Sequence, residues 1–273
     1  MTDILTLVFQ SFVSETCPQT EPASSAAPAC STLVVGEQRL SRPLLLLAAV
    51  TAASQLGVRV LFFTHTQIQS LPPALQRSLP NLGLDGLKKI TFHYPRTLEE
   101  LLLQVSSLHE SPTPPSLIIV DGLEAFLCGS AGGSHGGFHS GEQSGSAHLS
   151  ALLCDTAAFL TQVLEQRGSS SGPCRIIASF LSEVDTEVEH KKSSAATPVL
   201  EVLDRYFQVR CTLDQDKDDQ AAAVAVQELW HIYLSGRGIT EASSASEGAD
   251  SPGVAQEWEL LLFPDGLMEF RLV

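Results

Sequence analysis

The sequence predicts an α/β fold in which a mainly parallel sheet is flanked by helices and antiparallel strands are added at its C-terminal end. From Ser31 onward, short and uniformly apolar runs alternate with helical segments of about 10 to 15 residues, which is typical of parallel strands buried on both faces. In the last third, strand patterns follow one another without helices between them, and Pro264-Asp265-Gly266 forms a tight turn between two of them. The first pattern predicts the parallel part of the sheet, and the second predicts its antiparallel addition.

The elements are predicted from hydrophobic periodicity and from the residues that end each run. In the parallel part, strands are predicted at 32–35, 58–63, 89–94, 117–121 and 175–180. Helices are predicted at 44–55, which Gly57 ends, at about 97–110 and at about 148–166. In the antiparallel part, strands are predicted at 228–234, 258–263 and 268–273.

The chain is long enough for one main domain. Its 273 residues, 44% of them hydrophobic, can bury one large core, and we expect this domain to span 31–273. Residues 1–30 are expected to form an N-terminal extension, a short helix followed by a Pro/Ser/Ala linker. That helix either packs back on its own domain or docks on a partner. Flexible loops are expected at about 129–147, which is rich in Gly, Ser and His, and at 236–253, which is rich in Ser, Glu and Gly.

Composition argues against several functional classes. With 31 acidic against 16 basic residues the formal charge is -15, so any binding of nucleic acid must be local or shared with a basic partner. The six cysteines include no C-x-x-C pair, which favours a reducing compartment. No apolar run approaches the ~20 residues that span a bilayer, so we expect a soluble protein without a membrane partner. His135, His139 and His148 with Cys128 lie in a Gly/Ser segment, where we expect surface histidines and no structural metal.

A strand pattern that ends in an aspartate suggests half of a nucleotide site. The apolar run 117–120 buries the strand, and Asp121 follows at its C-terminal end, where open α/β sheets bind ligands. A carboxylate in this Walker B position can hold Mg²⁺ directly or through water. The alternative is purely structural, because apolar strands that end in aspartate are common.

The segment after the first strand matches a phosphate-binding loop only in part. Gly36 stands where the pattern G-x-x-x-x-G-K-[ST] begins, and the residues after it read EQRLSRP. Ser41 replaces the second glycine and disfavours the left-handed backbone that wraps phosphates, whereas Arg42 keeps a positive charge in place of lysine. Pro43 supplies neither a hydroxyl for Mg²⁺ nor a backbone N–H. The sequence therefore predicts a degenerate Walker A site at Gly36, Ser41 and Arg42, where ATP and Mg²⁺ bind weakly or not at all.

Hydrolysis of ATP also needs a group that orients the attacking water. No acidic residue follows the second strand, where 64–67 read THTQ, so His65, Gln67 or Glu124 would have to replace it. The catalytic residues are therefore unassigned, and efficient autonomous hydrolysis is not expected.

The densest basic cluster is His190-Lys191-Lys192, in the segment after the predicted strand at 175–180. Lys191 and Lys192 are candidates for contact with single-stranded DNA if this segment faces the ends of the strands. Otherwise they lie in a solvated turn, and the sequence leaves both interpretations open.

Four segments carry a resemblance to a known family. They are LKKITFHYP at 87–95, SLIIVDGLE at 116–124, LLCDTAA at 152–158 and LDRYF at 203–207. Over most of 31–273 the chain resembles the RecA-type recombinase paralogues, and more narrowly the SWIM-type zinc finger-associated ATPases of Shu-type recombination complexes. The resemblance implies a RecA-like P-loop fold, with Gly36 and Arg42 in the phosphate loop and Asp121 in the magnesium site. The chain departs from the family at 41–43, where members with an intact loop have Gly, Lys and Ser or Thr.

The resemblance also implies a function. It implies a nuclear factor of homologous recombination that binds ATP and single-stranded DNA, has DNA-stimulated ATPase activity, and shares mutual stabilisation with a SWIM-type zinc finger partner. The chain is then either a recombination-mediator subunit that binds this partner, recombinase filament proteins and single-stranded DNA with ATP turnover weak or lost, or a DNA-stimulated ATPase with an atypical phosphate loop. A third alternative, a small-molecule P-loop kinase, would need a basic acceptor site in the helical regions, where only isolated arginines occur.

Overall fold

The structure, a computed structural model, describes residues 4–12, 31–78, 84–127, 139–168, 172–181, 196–216, 228–236 and 254–273. The strands are β1 (Ser31–Val35), β2 (Val60–Thr64), β3 (Ile90–His93), β4 (Leu117–Asp121), β5 (Arg175–Phe180), β6 (Val209–Gln215), β7 (Glu228–Gly236), β8 (Val254–Leu262) and β9 (Met268–Leu272). The helices are α1 (Ile4–Ser11), α2 (Gln38–Gln55), α3 (Pro73–Ser78), α4 (Leu84–Leu87), α5 (Leu98–Ser106), α6 (Leu123–Leu127), α7 (His139–Gln166) and α8 (Ala196–Tyr206), with a 3₁₀ turn at Ser107–Glu110.

All nine strands belong to one sheet, in the order β3-β2-β4-β5-β1-β6-β7-β8-β9. The strands from β3 to β6 in this order are parallel, and those from β6 to β9 are antiparallel. The predicted fold class is therefore confirmed: a mainly parallel sheet flanked by helices, with antiparallel strands at its C-terminal end. The strand β6, the helix α8 and the short helices α3, α4 and α6 were not predicted, although the buried and half-buried residues of β6 alternate as a strand pattern should.

Two apolar cores lie on the two faces of the sheet. Because side chains alternate along a strand, Val60 and Phe62 of β2 join one core, whereas Leu61 and Phe63 join the other. The first core also contains the buried faces of α1 and α2, and the second contains those of α5, α7 and α8. Burial on both faces explains why β1, β2, β4 and β5 are mainly apolar in sequence, whereas the edge strand β3 is partly exposed.

The N-terminal helix α1 packs on its own domain, as one of the two interpretations predicted. Its residues Ile4, Leu5, Val8 and Phe9 are buried. The ring of Phe9 stacks on Phe270 of β9 at 4.9 Å between centroids and contacts Trp258 of β8 at 5.3 Å. The backbone N–H of Phe270 also donates to the carbonyl of Phe12 at 3.0 Å. This helix therefore closes the core over the last two strands.

Helix α7 begins at His139, and not near 148 as predicted, so 139–147 is helix and not loop. One of the glycines that suggested a loop serves close packing instead. A Cβ atom at Gly145 would lie 3.1 Å from Leu98 Cδ2, so the small residue lets α7 approach α5. His148 consequently lies on a helix. Residues 128–138 and 237–253 lie outside the described residues, so the loops predicted there stay predictions.

The length and composition of α7 would allow it to cross a membrane. Its apolar face, however, packs in the second core, where Leu149, Leu153 and Leu160 are buried. The core helices of globular proteins often have this composition. In the part of the chain that the structure describes, no three His, Cys, Asp or Glu residues are grouped so that they could hold a metal ion.

Candidate functional site

The candidate site lies at the C-terminal edge of the parallel strands. Strand β5 lies between β1 and β4, and β2 lies on the other side of β4. Thr64 pairs with Asp121 in register, and Ala178 pairs with Val120, so Ser179 comes beside Asp121 as well. The topology therefore brings two hydroxyls to the carboxylate of Asp121.

Asp121 is surrounded by donors and is fully buried. Its Oδ2 accepts from Nε of Arg42 at 2.6 Å and from Oγ1 of Thr64 at 2.9 Å, and its Oδ1 lies 3.4 Å from Oγ of Ser179. The side chain of Asp121 is 0% exposed, whereas that of Arg42 is 26% exposed. A buried carboxylate that is paired and hydrogen-bonded in this way has its charge compensated within the protein. It offers no open oxygen to a hydrated Mg²⁺, which keeps several of its waters when it binds.

Arg42 reaches Asp121 because α2 begins earlier than predicted. The predicted start was 44, but the helix begins at Gln38, and only Gly36 and Glu37 separate it from β1. The segment expected to form a phosphate loop is therefore mostly helical. Leu40 and Ser41 are 2% exposed, and burial of the apolar Leu40 favours this arrangement. Pro43 lies inside the helix and removes one backbone hydrogen bond, a cost that the core contacts of α2 offset.

Packing alone is enough to require a glycine at position 36. A Cβ atom at this position would lie 2.7 Å from Cβ of Leu213 on β6, a distance that real Cβ atoms do not adopt. The φ angle of Gly36 lies outside the left-handed region. Of the three residues predicted for the degenerate Walker A site, Gly36 and Ser41 thus serve the core, and Arg42 alone contacts the Walker B residue.

A second arginine holds the start of α2 against the antiparallel strands. Arg39 pairs with Glu37 at 2.7 Å and with Glu228 of β7 at 2.8 Å. Its guanidinium carbon lies 5.2 Å from the ring centre of Trp230, a cation–π contact. These contacts join the position of the phosphate loop to strands far away in sequence, and no spacing within the sequence could have revealed them.

Glu124 is an acidic residue that interacts electrostatically with both members of the Arg42–Asp121 pair. Its Oε2 accepts from the backbone N–H of Leu181, just after β5, at 3.0 Å. Burial raises the pKa of Glu124, and the negative charge of Asp121 adds to the effect, while the hydrogen bond from Leu181 and the charge of Arg42 oppose it. His65 and Gln67, the other two candidates, are exposed. Glu124 is therefore the one group among the three that is built into the site.

The raised pKa of Glu124 predicts a specific dependence of stability on pH. The native state keeps the proton at a pH where the unfolded chain has lost it, so this contribution is complete below the ordinary value of 4.5 and is lost as the pH rises through the native pKa. Glu124→Gln should therefore raise the free energy of unfolding near pH 7, because the amide carries no buried charge. The gain over the wild type should disappear below pH 4.5.

Urea denaturation of both proteins between about pH 4 and 8 measures this difference. Glu99→Gln serves as the control, because the Glu99 carboxylate is exposed and hydrogen bonds lower its pKa. A gain from Glu124→Gln that did not change with pH would contradict the explanation.

The site thus unites Arg42, Asp121 and Glu124, which sequence analysis had named for other roles. Thr64 and Ser179 were missed, although both stand at the C-terminal ends of predicted apolar strands, which is the signal that pointed to Asp121. Lys191 and Lys192 lie outside the described residues, so their predicted contact with DNA stays a prediction.

Comparison with known proteins gives similar sequences and similar solved structures. No protein-family model matches the chain. It is 33% identical over 197 residues to ATPase SWSAP1 of Mus musculus, which covers 71% of this chain and 62% of the mouse protein. It is 33% identical over 174 residues to ATPase SWSAP1 of Homo sapiens, which covers 63% of this chain and 66% of the human protein.

The aligned region is therefore less than two thirds of each relative. The solved structure of a KaiC-like protein from Pyrococcus horikoshii OT3 aligns with a TM-score of 0.48 at 10% identity, over 89% of each chain. Over most of its own length, the chain is homologous to proteins named ATPase SWSAP1.

Proposed function

We propose that this chain is a RecA-like recombination-mediator subunit that supports homologous recombination repair through binding of proteins and single-stranded DNA, with ATP turnover weak or lost. The observation that carries this proposal is the ion pair between Arg42 and Asp121. In a nucleotide-hydrolysing site, the Walker B carboxylate must be available to the magnesium ion and the Walker A cation must be available to phosphate. Here the two groups neutralise each other.

The residues present do not fit a bound Mg²⁺–ATP. The two-residue connection between β1 and α2 leaves no wide loop of backbone N–H groups to surround phosphates. Asp121 is closed off by three donors, and its side chain is 0% exposed. For the metal to bind, Arg42 would have to leave Asp121, and the nucleotide would then have to neutralise the positive charge of Arg42.

The relatives support the recombination part of the proposal. Two proteins named ATPase SWSAP1 match at 33% identity, and the resemblance to Shu-type subunits points to the same family. On this basis we propose a SWIM-type zinc finger protein as the heterodimer partner, recombinase filament proteins as further partners, and the nucleus as the location. Co-expression tests the first point: the SWIM-type protein should be retained on the tagged chain, and its level should fall when the chain is removed.

A DNA-stimulated ATPase with an atypical phosphate loop is the second candidate. The names of both relatives contain the word ATPase, which favours this candidate. Glu124 favours it as well, because this carboxylate interacts electrostatically with both Arg42 and Asp121. In this case Arg42 would leave Asp121 and neutralise phosphate when nucleotide binds.

Steady-state hydrolysis of ATP separates the two candidates. We expect the purified chain to turn over ATP far below about 1 s⁻¹, a rate typical of slow enzymes, with or without single-stranded DNA. Asp121→Asn should leave this background unchanged, because Asp121 is engaged by Arg42. A rate near 1 s⁻¹ that DNA stimulates and Asp121→Asn abolishes would establish the second candidate instead.

A further inference from the structure

The positive charge of the chain is concentrated toward one edge of the sheet. Residues 57–96 contain five of the 16 Lys and Arg residues and one of the 31 Asp and Glu residues, so this segment carries a formal charge of +4 within a chain of -15. The segment includes β2 and β3, and β3 is the outermost strand at its end of the sheet. The strands at the opposite end lie in 200–273, which has 14 acidic and five basic residues.

Exposed aromatic side chains lie between the basic ones in sequence, one on β3 and one just after it. Phe92 is 36% exposed and Tyr94 is 39% exposed, and both belong to the few large apolar side chains that the described residues leave in solvent. Basic residues stand before the strand and after it. We call this surface the basic edge, and its residues are Arg59, Lys88, Lys89, Phe92, Tyr94 and Arg96, all of them exposed.

The packing of β3 holds these side chains in place. The backbone N–H of Val60 donates to the carbonyl of Lys89 at 3.0 Å, which brings Arg59 of the neighbouring strand beside Lys89. The ring of Phe92 lies 5.3 Å from that of buried Phe62, so it is supported from within the sheet. Nζ of Lys89 donates to the carbonyl of Gly57 at 2.8 Å and can still donate two more hydrogen bonds.

We infer that the basic edge binds single-stranded nucleic acid, with Lys88, Lys89 and Arg59 on phosphates and with Phe92 and Tyr94 stacked on bases. This inference rests on the DNA binding in the proposed function and assigns its surface. Lysine and arginine along a groove with exposed aromatic rings are the combination that single-strand binding uses, because each base offers a face for stacking. Strand β3 itself covers about 13 Å, and the basic and aromatic residues on either side of it lengthen the surface.

Two features decide between ligands. Duplex DNA offers no free base faces to the rings of Phe92 and Tyr94, so a single strand fits better. An acidic polypeptide could add to the edge of β3 through its backbone, but it would not need two exposed aromatic rings. Glu99 and Glu100 follow Arg96 and repel phosphate there, so the stronger phosphate contacts are assigned to the end of the strand that carries the lysines.

Fluorescence anisotropy with a labelled oligo-dT tests the inference on the full chain. Lys88→Gln/Lys89→Gln should weaken binding at least tenfold and lower the slope of log affinity against log salt by about 1.4, since each phosphate contact on a single strand contributes about 0.7. Tyr94→Ala should weaken binding about tenfold and leave the slope unchanged, because stacking releases no counterions. Thermal unfolding checks that each variant is folded. If the double variant does not fold, the single variant Lys89→Gln is used in its place.

Arg271→Gln is the matched control, because Arg271 is a half-exposed basic residue on β9 at the opposite edge of the sheet. The affinity of this variant for oligo-dT should equal that of the wild type.

If Lys191→Gln/Lys192→Gln alone weakens binding, the basic edge is not the DNA surface, while DNA binding and the proposed function stand. If the variants of the basic edge lose binding to polyglutamate and keep binding to oligo-dT, the edge receives an acidic polypeptide and the inference is wrong. If the wild type does not bind oligo-dT, the inference fails together with the DNA-binding part of the proposed function, and the co-expression experiment still tests the partner.

Discussion

Arg42→Ala is expected to lower the free energy of unfolding by about 3 kcal/mol, the largest effect of any polar substitution in the site. The physical reason is that Asp121, with a side chain that is 0% exposed, would keep a buried negative charge without its cation. Thr64 and Ser179 would still donate hydrogen bonds, but they carry no charge. Because Arg42 itself is 26% exposed, we place the loss at the lower end of the range for broken buried ion pairs. Urea denaturation at pH 7 measures it.

A double-mutant cycle shows whether the loss comes from the pair. Asp121→Asn removes the buried charge and keeps one oxygen that can accept from one of the two hydroxyls, so Arg42→Ala/Asp121→Asn should be more stable than Arg42→Ala alone. This rescue is the signature of an uncompensated charge, because a loss of arginine packing would be additive. If Arg42→Ala stayed within about 0.5 kcal/mol of the wild type, as surface substitutions do, the ion pair would not stabilise the fold.

Phe9→Ala is expected to destabilise the chain by about 3 to 5 kcal/mol, the usual range for a fully buried phenylalanine. Phe9 is 0% exposed and contacts the rings of both Trp258 and Phe270. Its removal leaves a cavity between α1 and the last two strands, which cannot close without moving the helix. Chemical denaturation measures the loss.

Gln10→Ala on the same helix is the control, since Gln10 is exposed and alanine preserves the helix. A loss of less than about 1 kcal/mol from Phe9→Ala would mean that α1 leaves the domain easily. In that case the alternative interpretation of the helix, docking on a partner, would gain support. The same measurement in the presence of the proposed SWIM-type partner would then show whether the partner stabilises the helix.

The fold was predictable from the sequence because burial on both faces dictates the apolar runs. The inner strands β1, β2, β4 and β5 each follow such a run, whereas the edge strand β3 is partly exposed. The Pro264-Asp265-Gly266 turn indicates the last antiparallel pair. By contrast, polar residues such as Arg210 and Asp214 interrupt the apolar residues of β6, so its sequence did not indicate a buried strand. In the sheet, β6 pairs with β1 on one side and with β7 on the other. Strand β6 is thus fixed by its neighbours and only weakly by its own composition.

The site was predictable only to the extent that it depends on local pattern. Asp121 stands at the end of an apolar strand, so its position followed directly from the sequence. The pairing of Asp121 with Arg42 did not follow from the sequence, because Arg42 reaches Asp121 only if α2 begins at Gln38. Pro43 had favoured a later start of this helix. The same conflict arose at α7, where Gly145 indicated a loop and the crossing with α5 required a small residue. In both places tertiary contacts outweighed local propensity, as they commonly do.

The contact between α1 and the last two strands also sets an order of events when the protein is made. Residues of α1 leave the ribosome long before Trp258 and Phe270, the residues that cover Phe9. During that interval α1 can pack on α2, but its Phe9 face stays uncovered and is open to chaperones or to aggregation. A premature stop codon before β8 would make this condition permanent, so such a product should be removed by quality control even though every residue of the Arg42–Asp121 site has been synthesised.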